Sequence, residues 1–327
     1  MSKKKKLIAR ELFSGDVDAW EELARDHGTI FDSVRWTEMF RPALRRIGIY
    51  DRGDNLRGGF SLYEQRRFGM RLIRNPPFTP QIGPFFERRA KNSAAKTNEQ
   101  RTIMEVMAEY LTGLSAPVVS IGLSNGIEDC LPFIWRDYKV VPHYTYRIDL
   151  KKRTELVDRG MSTKQRHHIR KAKKDGVIIN ETPDTTDLRS LVSKTYIRQN
   201  KSFPQAFMNA VLNSHYPGDK AFCFVATISD NPIAAVYFTH DSHTAWNLMT
   251  GYDNARSHHG AGALAMYHAI LKAKSLGLTV FDFEGSMIPP IEKYFRGFGG
   301  RLTPIFSVHK ALLPLEMALK FFKRRIF

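Results

Sequence analysis

Cysteine is scarce in this chain, which has only Cys130 and Cys223 among its 327 residues. Two cysteines so far apart exclude a disulfide framework and a cysteine-rich metal site. Long hydrophobic runs are also missing, since no apolar stretch reaches the roughly 18 to 20 residues that a membrane-spanning helix needs. The N-terminal MSKKKKLIAR is charged, but no apolar segment of signal-peptide length follows it. These features predict a cytoplasmic protein.

Acidic residues are few relative to basic ones. The chain has 33 Asp and Glu against 50 Lys and Arg, a net charge of +17. Such an excess suits an anionic partner, which can be a nucleic acid, a phosphorylated co-substrate or the inner face of an acidic membrane. Hydrophobic residues make up 43% of the chain, as in soluble proteins with a full core. The length predicts about two domains of roughly 150 residues, which we place at 1–150 and 151–327.

The two halves share one order of predicted elements. Each has two helices, an antiparallel run of three strands, a helix and a further strand. The strand runs are 45–50, 59–63 and 70–74 in the first half, and 222–228, 233–240 and 244–250 in the second. No residue-level repeat accompanies this order. We therefore expect an α/β (α+β) fold that arose by duplication, in which each unit has a mixed, mostly antiparallel sheet flanked by helices.

The stretch FDFEGSMIPPIEKYFRGFGG, residues 281–300, combines a strand, two acids and a glycine-rich bend. Its first four residues alternate apolar with acidic side chains, the pattern of a strand with one buried face. An apolar helix at 260–276 precedes it, which predicts a central position in the sheet. Because α/β sheets bind ligands beyond their strand ends, we expect Asp282 or Glu284 to act as a general base. The alternative is that both are solvent-facing polar residues.

A second notable stretch, residues 151–175, carries ten bases against three acids. Ser162 and Gln165 predict a capping box at the start of a helix, and Gly176 predicts its end. Bases in the N-terminal half of this helix lie where the helix dipole attracts anions. We expect phosphate contacts there from Lys164, Arg166 and Arg170. The alternative is an ordinary solvated face.

Three signatures in the second half resemble those of the FemAB-like acyltransferases, which carry two GNAT folds in tandem. The first comprises YRIDL at 146–150 with STKQR and IRKA at 162–172. The second is Gly251-Tyr252 with a helix that starts on small residues, and the third is FDFEGS with FRGFGG. The first half matches only in its order of elements and around Trp36. The resemblance implies a tandem GNAT fold.

The resemblance also implies transfer of an acyl or aminoacyl group to an amine of an envelope, polysaccharide or lipid precursor. The donor is either an acyl-CoA thioester or an aminoacyl-tRNA, and no tightly bound cofactor is expected. The GNAT pyrophosphate loop, usually Q/R-x-x-G-x-G/A, matches SHHGAG at 257–262. Gly260 and Gly262 are in place, but Ser257 replaces the usual Gln or Arg and Arg256 comes one position early. We favour acyl-CoA, bound by Gly260, Gly262 and Arg256.

Acyl transfer needs a base for the attacking amine and a proton donor for the oxyanion or the leaving group. Tyr252 or Ser286 is expected to supply that hydroxyl, although Tyr252 and Tyr294 also fit a role as core aromatics. The resemblance places Arg296 near a phosphate-bearing acceptor. The histidine pairs at 167–168 and 258–259 lack the spacing of a third ligand, so no metal site is expected.

A different class of function remains open. The basic helix and the C-terminal helix LLPLEMALKFFKRRIF would also suit a non-catalytic protein that binds RNA or an anionic membrane. The other interpretation of this tail is that it packs against the sheet through Leu315, Leu319 and Phe322.

Overall fold

A computed structural model describes residues 7–67, 69–199, 203–215, 218, 220–256 and 258–322. The chain divides into two compact units. One comprises the residues up to His143 together with those from Pro304 onwards, and the other is Tyr144–Thr303. The sequence-based division at residue 150 lies close to the first boundary. The C-terminal segment differs from that division and groups with the first unit, because its strand pairs with a strand of that unit. Its predicted basic end, residues 323–327, lies outside the described residues.

The first unit begins with a strand and two helices and continues with a sheet and one long helix. Its elements are β1 (Ile8–Glu11), α1 (Val17–His27), α2 (Val34–Glu38), β2 (Leu44–Tyr50), β3 (Leu56–Arg67), β4 (Met70–Arg74), β5 (Phe85–Phe86), α3 (Ser93–Gly113), β6 (Val118–Gly122), α4 (Leu131–Ile134) and the start of β7 (Lys139–Asp149). Most of β13 (Arg301–Ala311) and α11 (Leu313–Phe322) complete it.

The sheet of the first unit has the order β1-β2-β3-β4-β6-β13. Its neighbouring strands are antiparallel except for the parallel pair β4–β6. The helix α3 covers one face of this sheet, where Met104 and Met107 are buried against Phe60 and Ile121. Because α3 lies between β4 and β6 in the chain, it makes the crossover that a parallel pair requires.

The second unit contains the end of β7 and a sheet with helices on both faces. Its elements are α5 (Thr154–Gly160), α6 (Thr163–Lys174), β8 (Ile178–Glu181), α7 (Thr186–Arg198), α8 (Gln205–His215), β9 (Ala221–Ile228), β10 (Asn231–His240), β11 (Thr244–Tyr252), α9 (Ala261–Ser275), β12 (Val280–Asp282) and α10 (Pro289–Arg296).

The sheet of the second unit has the order β7-β12-β11-β10-β9-β8, and only β11–β12 is parallel. β12 is central, as predicted, because β7 and β11 flank it. Phe281 and Phe283 enter the core under α9 together with Leu264. On the opposite face α7 approaches closely: a Cβ on Gly251 would lie 2.6 Å from the backbone of Leu191.

The predicted fold class is confirmed, since both units run through three antiparallel strands, a helix and a strand parallel to the third. The predicted capping box is only half formed. The Ser162 hydroxyl accepts from the Gln165 amide at 3.2 Å, but the Ser162 amide donates to the Gly297 carbonyl at 2.9 Å instead of to the Gln165 side chain. Helix α6 therefore begins against the end of α10, a contact that local sequence did not reveal.

Candidate active site

The two parallel strands of the second unit separate soon after they meet. Their register pairs Thr244 with Val280 and ends where Trp246 pairs with Asp282. β12 stops there, but β11 runs on to Tyr252. Leu248 is skipped in the pairing with β10 and marks a β-bulge, which bends a strand locally. Among the described residues, β11 from 247 to 252 thus extends past its partner and leaves a gap, which we call the β11–β12 gap.

A strained turn directs the chain away from β11 after β12. Glu284 has a φ of 58° and Gly285 a φ of 64°. A side chain at Gly285 is impossible, because its Cβ would lie 2.0 Å from the Tyr144 carbonyl oxygen. Ser286 follows, and its hydroxyl accepts from the Ile288 amide at 3.1 Å just before α10. Backbone strain of this kind is concentrated at functional sites.

Asp282 has a carboxylate that is buried, with 1% of the residue exposed. It accepts hydrogen bonds from the Thr145 hydroxyl at 2.5 Å and from the Glu284 amide at 2.9 Å. Its other oxygen lies 3.2 Å from Nε of Arg147. The carboxylate thus fixes the turn and neutralises Arg147, and in this conformation no substrate reaches it. This arrangement fits a positioning role for Asp282 better than the role of a general base.

Glu284 is half-buried and lies at the turn itself. Burial raises the pKa of its carboxyl group well above the ordinary value, and the nearby charge of Asp282 raises it further, while Arg147 opposes them. A carboxyl group with a raised pKa can accept a proton near neutral pH. Of the two predicted acids, Glu284 is therefore the one whose position and electrostatics suit a base.

Two tyrosines lie at the β11–β12 gap. Tyr252 ends β11 and is half-buried against the core under α9, where Tyr294 of α10 also packs. The Tyr294 hydroxyl lies 3.6 Å from the position of a Cβ on Gly262, which places it beside the first turn of α9. Burial, and to a lesser degree Tyr252, raise the pKa of Tyr294. The sequence left Tyr294 as a core aromatic, because its proximity to α9 depends on long-range packing.

The predicted pyrophosphate loop leads into α9, and its two glycines have different surroundings. A Cβ on Gly260 would lie 2.2 Å from the His168 carbonyl oxygen, so Gly260 permits close packing of α9 on α6. Its amide donates to Nδ1 of His258, and Nε2 of His258 lies 2.9 Å from Asp175. Gly262 is inside the first helical turn, where amides have no partners within the helix. Ser257 lies outside the described residues.

Arg256 lines a pocket of about 690 Å³ at the end of β11, together with Tyr252, Lys194 and Arg198. The guanidinium of Arg256 is exposed and donates to Asn231 Oδ1 at 2.6 Å. Lys194 is paired with Asp253 at 2.7 Å. Three basic side chains against one acid give this pocket a positive balance that suits phosphate groups.

The predicted phosphate-binding bases of α6 differ in their exposure and in their partners. Lys164 and Arg170 are exposed. Arg166 instead donates to the Arg159 carbonyl at 3.2 Å and the Asp158 carbonyl at 3.4 Å, which caps the end of α5. Arg296 has 61% of its side chain exposed and lies 3.2 Å from Glu292, which in turn accepts from the Tyr146 hydroxyl. Sequence periodicity placed these residues on helix faces but could not reveal these internal partners.

In a sequence comparison, residues 160–296 match the family model described as an acetyltransferase (GNAT) domain. This stretch is a GNAT domain. No curated protein matches the chain in sequence. The crystal structure of FemX shares the fold with a TM-score of 0.67 at 11% identity, over 95% of this chain and 99% of that one. L-PGS from Bacillus licheniformis has a TM-score of 0.56 at 13% identity, over 97% and 98%. The resemblance to FemAB-like GNAT acyltransferases is confirmed in domain type and fold.

Two further findings concern the described residues of the whole chain. None of their helices combines the length and the apolar character needed to cross a bilayer. No group of three or more His, Cys, Asp or Glu side chains among them is arranged to hold a metal ion. His258, which the sequence placed in a histidine pair, instead joins α9 to the end of α6 through Asp175.

Proposed function

We propose that the chain is an N-acyltransferase whose GNAT domain binds an acyl-CoA thioester in the β11–β12 gap. The observation that carries this proposal is that β11 continues from 247 to 252 beyond its last pair with β12. An unpaired strand edge offers amides and carbonyls to an extended ligand, and the thioester with its amide-containing arm is such a ligand.

The phosphates of the donor are assigned to the far end of the same gap. The first turn of α9 at Gly262 offers backbone amides and the positive end of the helix dipole. Arg256, Lys194 and Arg198 line the adjoining pocket. The described residues of the first unit offer no counterpart, because its equivalent strand β4 ends at Arg74, where its pairing with β6 also ends.

The reaction joins an amine nitrogen to the thioester carbonyl carbon and breaks the carbon–sulfur bond. Glu284 accepts the proton that the amine loses. Tyr294 donates its hydroxyl proton to the departing thiolate, a role supported by the raised pKa that keeps this phenol protonated. Tyr252, whose charge also raises the pKa of Tyr294, and Ser286 are the further candidate hydroxyls. The products are an amide and free coenzyme A.

The acceptor is an amine on an envelope, polysaccharide or lipid precursor. The exposed Lys164, Arg170 and Arg296 are available to an acceptor that carries phosphate. Proximity of donor and amine supplies much of the rate in such reactions, so the acceptor groups that bind these side chains contribute even though they do not react.

An aminoacyl-tRNA donor is the second candidate, and the basic surface of α6 favours it. Exposed bases follow one another along this helix, and in the part of the chain that the structure describes only Lys171 among them is paired with an acid, Asp175 at 2.6 Å. A surface of this kind suits the backbone of a nucleic acid. Binding experiments with acyl-CoA and with aminoacyl-tRNA distinguish the two candidate donors.

The test measures thermal stability and then turnover. A donor present at about 100 times its dissociation constant adds about 2.7 kcal/mol to the free energy of unfolding, so acetyl-CoA, longer acyl-CoAs and aminoacyl-tRNA are compared first. Turnover with a panel of amines then follows for Tyr294→Phe, which we expect to lose about 10²-fold while it still binds the donor.

The matched control is Tyr267→Phe on α9. This change removes a hydroxyl that donates a hydrogen bond to the Asp158 carboxylate at 3.2 Å. This variant keeps its turnover if the assignment is right. Equal turnover of the two variants would contradict the role of Tyr294, and absence of stabilisation by every donor would contradict the proposed activity.

A further inference from the structure

The sheet face of the first unit that is turned away from α3 carries two rows of side chains. The register across β4, β6 and β13 aligns Arg74, Ser120 and His309. The same register aligns Leu72, Val118 and Ala311, each of which lies two residues from a member of the first row. Residues two apart in a strand point to the same face. A polar, basic row therefore lies directly beside an apolar row.

A pocket of about 690 Å³ is lined by the polar row and by Leu72 and Val118 of the apolar row. Over the apolar row it is closed by α11, because Leu315 and Leu319 pack with Leu72 against Val118. Over the polar row its lining includes the exposed side chain of Arg74. Among its described lining residues there is no Asp or Glu. The pocket thus has one apolar end and one end whose only full charges are positive.

The polar row is extended by a chain of hydrogen bonds along the floor of the pocket. Nε2 of His143 lies 2.7 Å from the Ser307 hydroxyl, which lies 2.7 Å from Nε2 of His309. Nδ1 of His309 lies 2.9 Å from the Ser120 hydroxyl. Burial lowers the pKa of His309 to about 4 and also lowers that of His143, so both rings are neutral at neutral pH.

The direction of this chain decides what it presents to a ligand. Each neutral imidazole and each hydroxyl donates one proton. When donation runs from His143 through Ser307 and His309 to Ser120, the Ser120 proton remains for a group bound in the pocket. Since Arg74 is the register partner of Ser120, an anion beside Arg74 favours this direction and receives that hydrogen bond.

We propose that this pocket binds a single-chain amphiphile with an anionic end, a fatty carboxylate or an alkyl phosphate. The anionic group lies between Arg74 and the Ser120 hydroxyl, and the aliphatic chain lies on the apolar row beneath Leu315 and Leu319. A purely polar ligand would leave the apolar row unused, and a cation would face Arg74 and Arg67 without any acid among the described lining residues. The site belongs to the first unit and is independent of the proposed acyl transfer.

The test titrates the full chain with dodecanoate and dodecyl phosphate by isothermal calorimetry, below their micelle concentrations. Saturable one-to-one binding of either supports the site, and the tighter of the two identifies the natural head group. Affinity falls about fourfold for each CH₂ removed from the chain, so octanoate binds much more weakly than dodecanoate. No saturable binding, or equal affinity for dodecylamine, would overturn the proposal.

A pair of variants tests the head-group contact. Arg74→Gln weakens dodecanoate binding by about tenfold, because it removes a charged hydrogen bond. Arg66→Gln makes the same change at an exposed arginine of β3 that does not line the pocket, and it leaves the affinity unchanged. Both side chains are exposed, so both variants are expected to fold. If Arg74→Gln binds as the unchanged protein does, the proposed orientation is wrong.

Discussion

Asp282 and Glu284 are two residues apart and have the same ionisable group, yet their surroundings differ. Asp282 is enclosed by a hydroxyl, an amide and a guanidinium. Glu284 has left the strand and sits in a left-handed turn with a raised pKa. The alternation of FDFE predicted a strand with acids on one face, and that much is right for Asp282. Its burial was not predictable, because it depends on Thr145 and Arg147 of β7.

Replacing Glu284 with glutamine should separate activity from stability. Its raised pKa means that the folded protein binds this proton more tightly than the unfolded chain does, so stability falls as pH rises from 4.5 through the folded pKa. Glu284→Gln removes this loss: its free energy of unfolding exceeds that of the unchanged protein at high pH, and the two converge below pH 4.5. Turnover falls by about 10²-fold.

Urea unfolding at several pH values and a pH–rate profile measure both effects. Glu155→Gln, a change at an exposed acid of α5, serves as the control and leaves stability and turnover as they were. If Glu284→Gln retains full turnover, the base is another group or the amine reacts without one.

Asp282→Asn should act mainly on stability, because it takes the charge from a buried acceptor and leaves Arg147 unneutralised. We expect a loss of about 1–3 kcal/mol in the free energy of unfolding. Asp149→Asn at the exposed end of β7 should change it by less than about 0.5 kcal/mol. Urea unfolding measures the free energy of unfolding of both variants. If Asp282→Asn is as stable as Asp149→Asn, the contacts of Asp282 contribute little to stability.

At the scale of elements, sequence patterns predicted what is local and missed what is not. The three-strand run of the second half and the buried helix α9 were placed to within a few residues, because period-two alternation and glycine stops mark them. The strand β8 and the helices α5 and α8 were not predicted, since α5 and β8 are short and their polar residues hide any apolar stripe. The gap itself was invisible, because it arises where β12 ends early beside a longer β11.

Gly260 and Gly262 provide an internal comparison within one loop. Gly260→Ala places its Cβ 2.2 Å from a backbone oxygen of α6, and we expect a loss of about 1–3 kcal/mol from overpacking. Gly262→Ala makes an ordinary contact of 3.6 Å with Tyr294 and should preserve stability to within about 0.5 kcal/mol. It should still weaken donor binding, because the added methyl narrows the approach to the first turn of α9.

Thermal unfolding and acyl-CoA titration of the two variants measure these effects. From the pattern GAG alone, both glycines were predicted to bind the donor. The reversed result, with Gly262→Ala unstable and Gly260→Ala tolerated, would show that the packing of α6 on α9 is not as described.

At the scale of the whole molecule, the net charge of +17 indicated an anionic partner without locating it. The structure distributes basic side chains over α6, the pocket at Arg256 and the pocket at Arg74. Some of these side chains bond to the protein itself, as Arg166 does when it donates to carbonyls at the end of α5. Composition alone therefore predicts an anionic ligand, whereas the fold shows which bases are exposed and which are bonded within the protein.

The duplicated order of elements was visible in the sequence, but the difference between the copies was not. Both units have a parallel pair after a helix, β4–β6 in one and β11–β12 in the other. Only in the second does the first strand of the pair run past its partner, by the residues 247–252. In that unit Gly260 and Gly262 also stand at the start of the following helix, α9.

Hydrogen exchange with and without saturating acetyl-CoA tests the central claim most directly. If the thioester lies in the β11–β12 gap, amides at 247–252 and in the first turn of α9 become protected, while β2, β3 and β4 of the first unit exchange as before. Longer acyl-CoAs and aminoacyl-tRNA are run alongside. Protection that leaves 247–252 and the start of α9 unchanged with every donor would contradict the account.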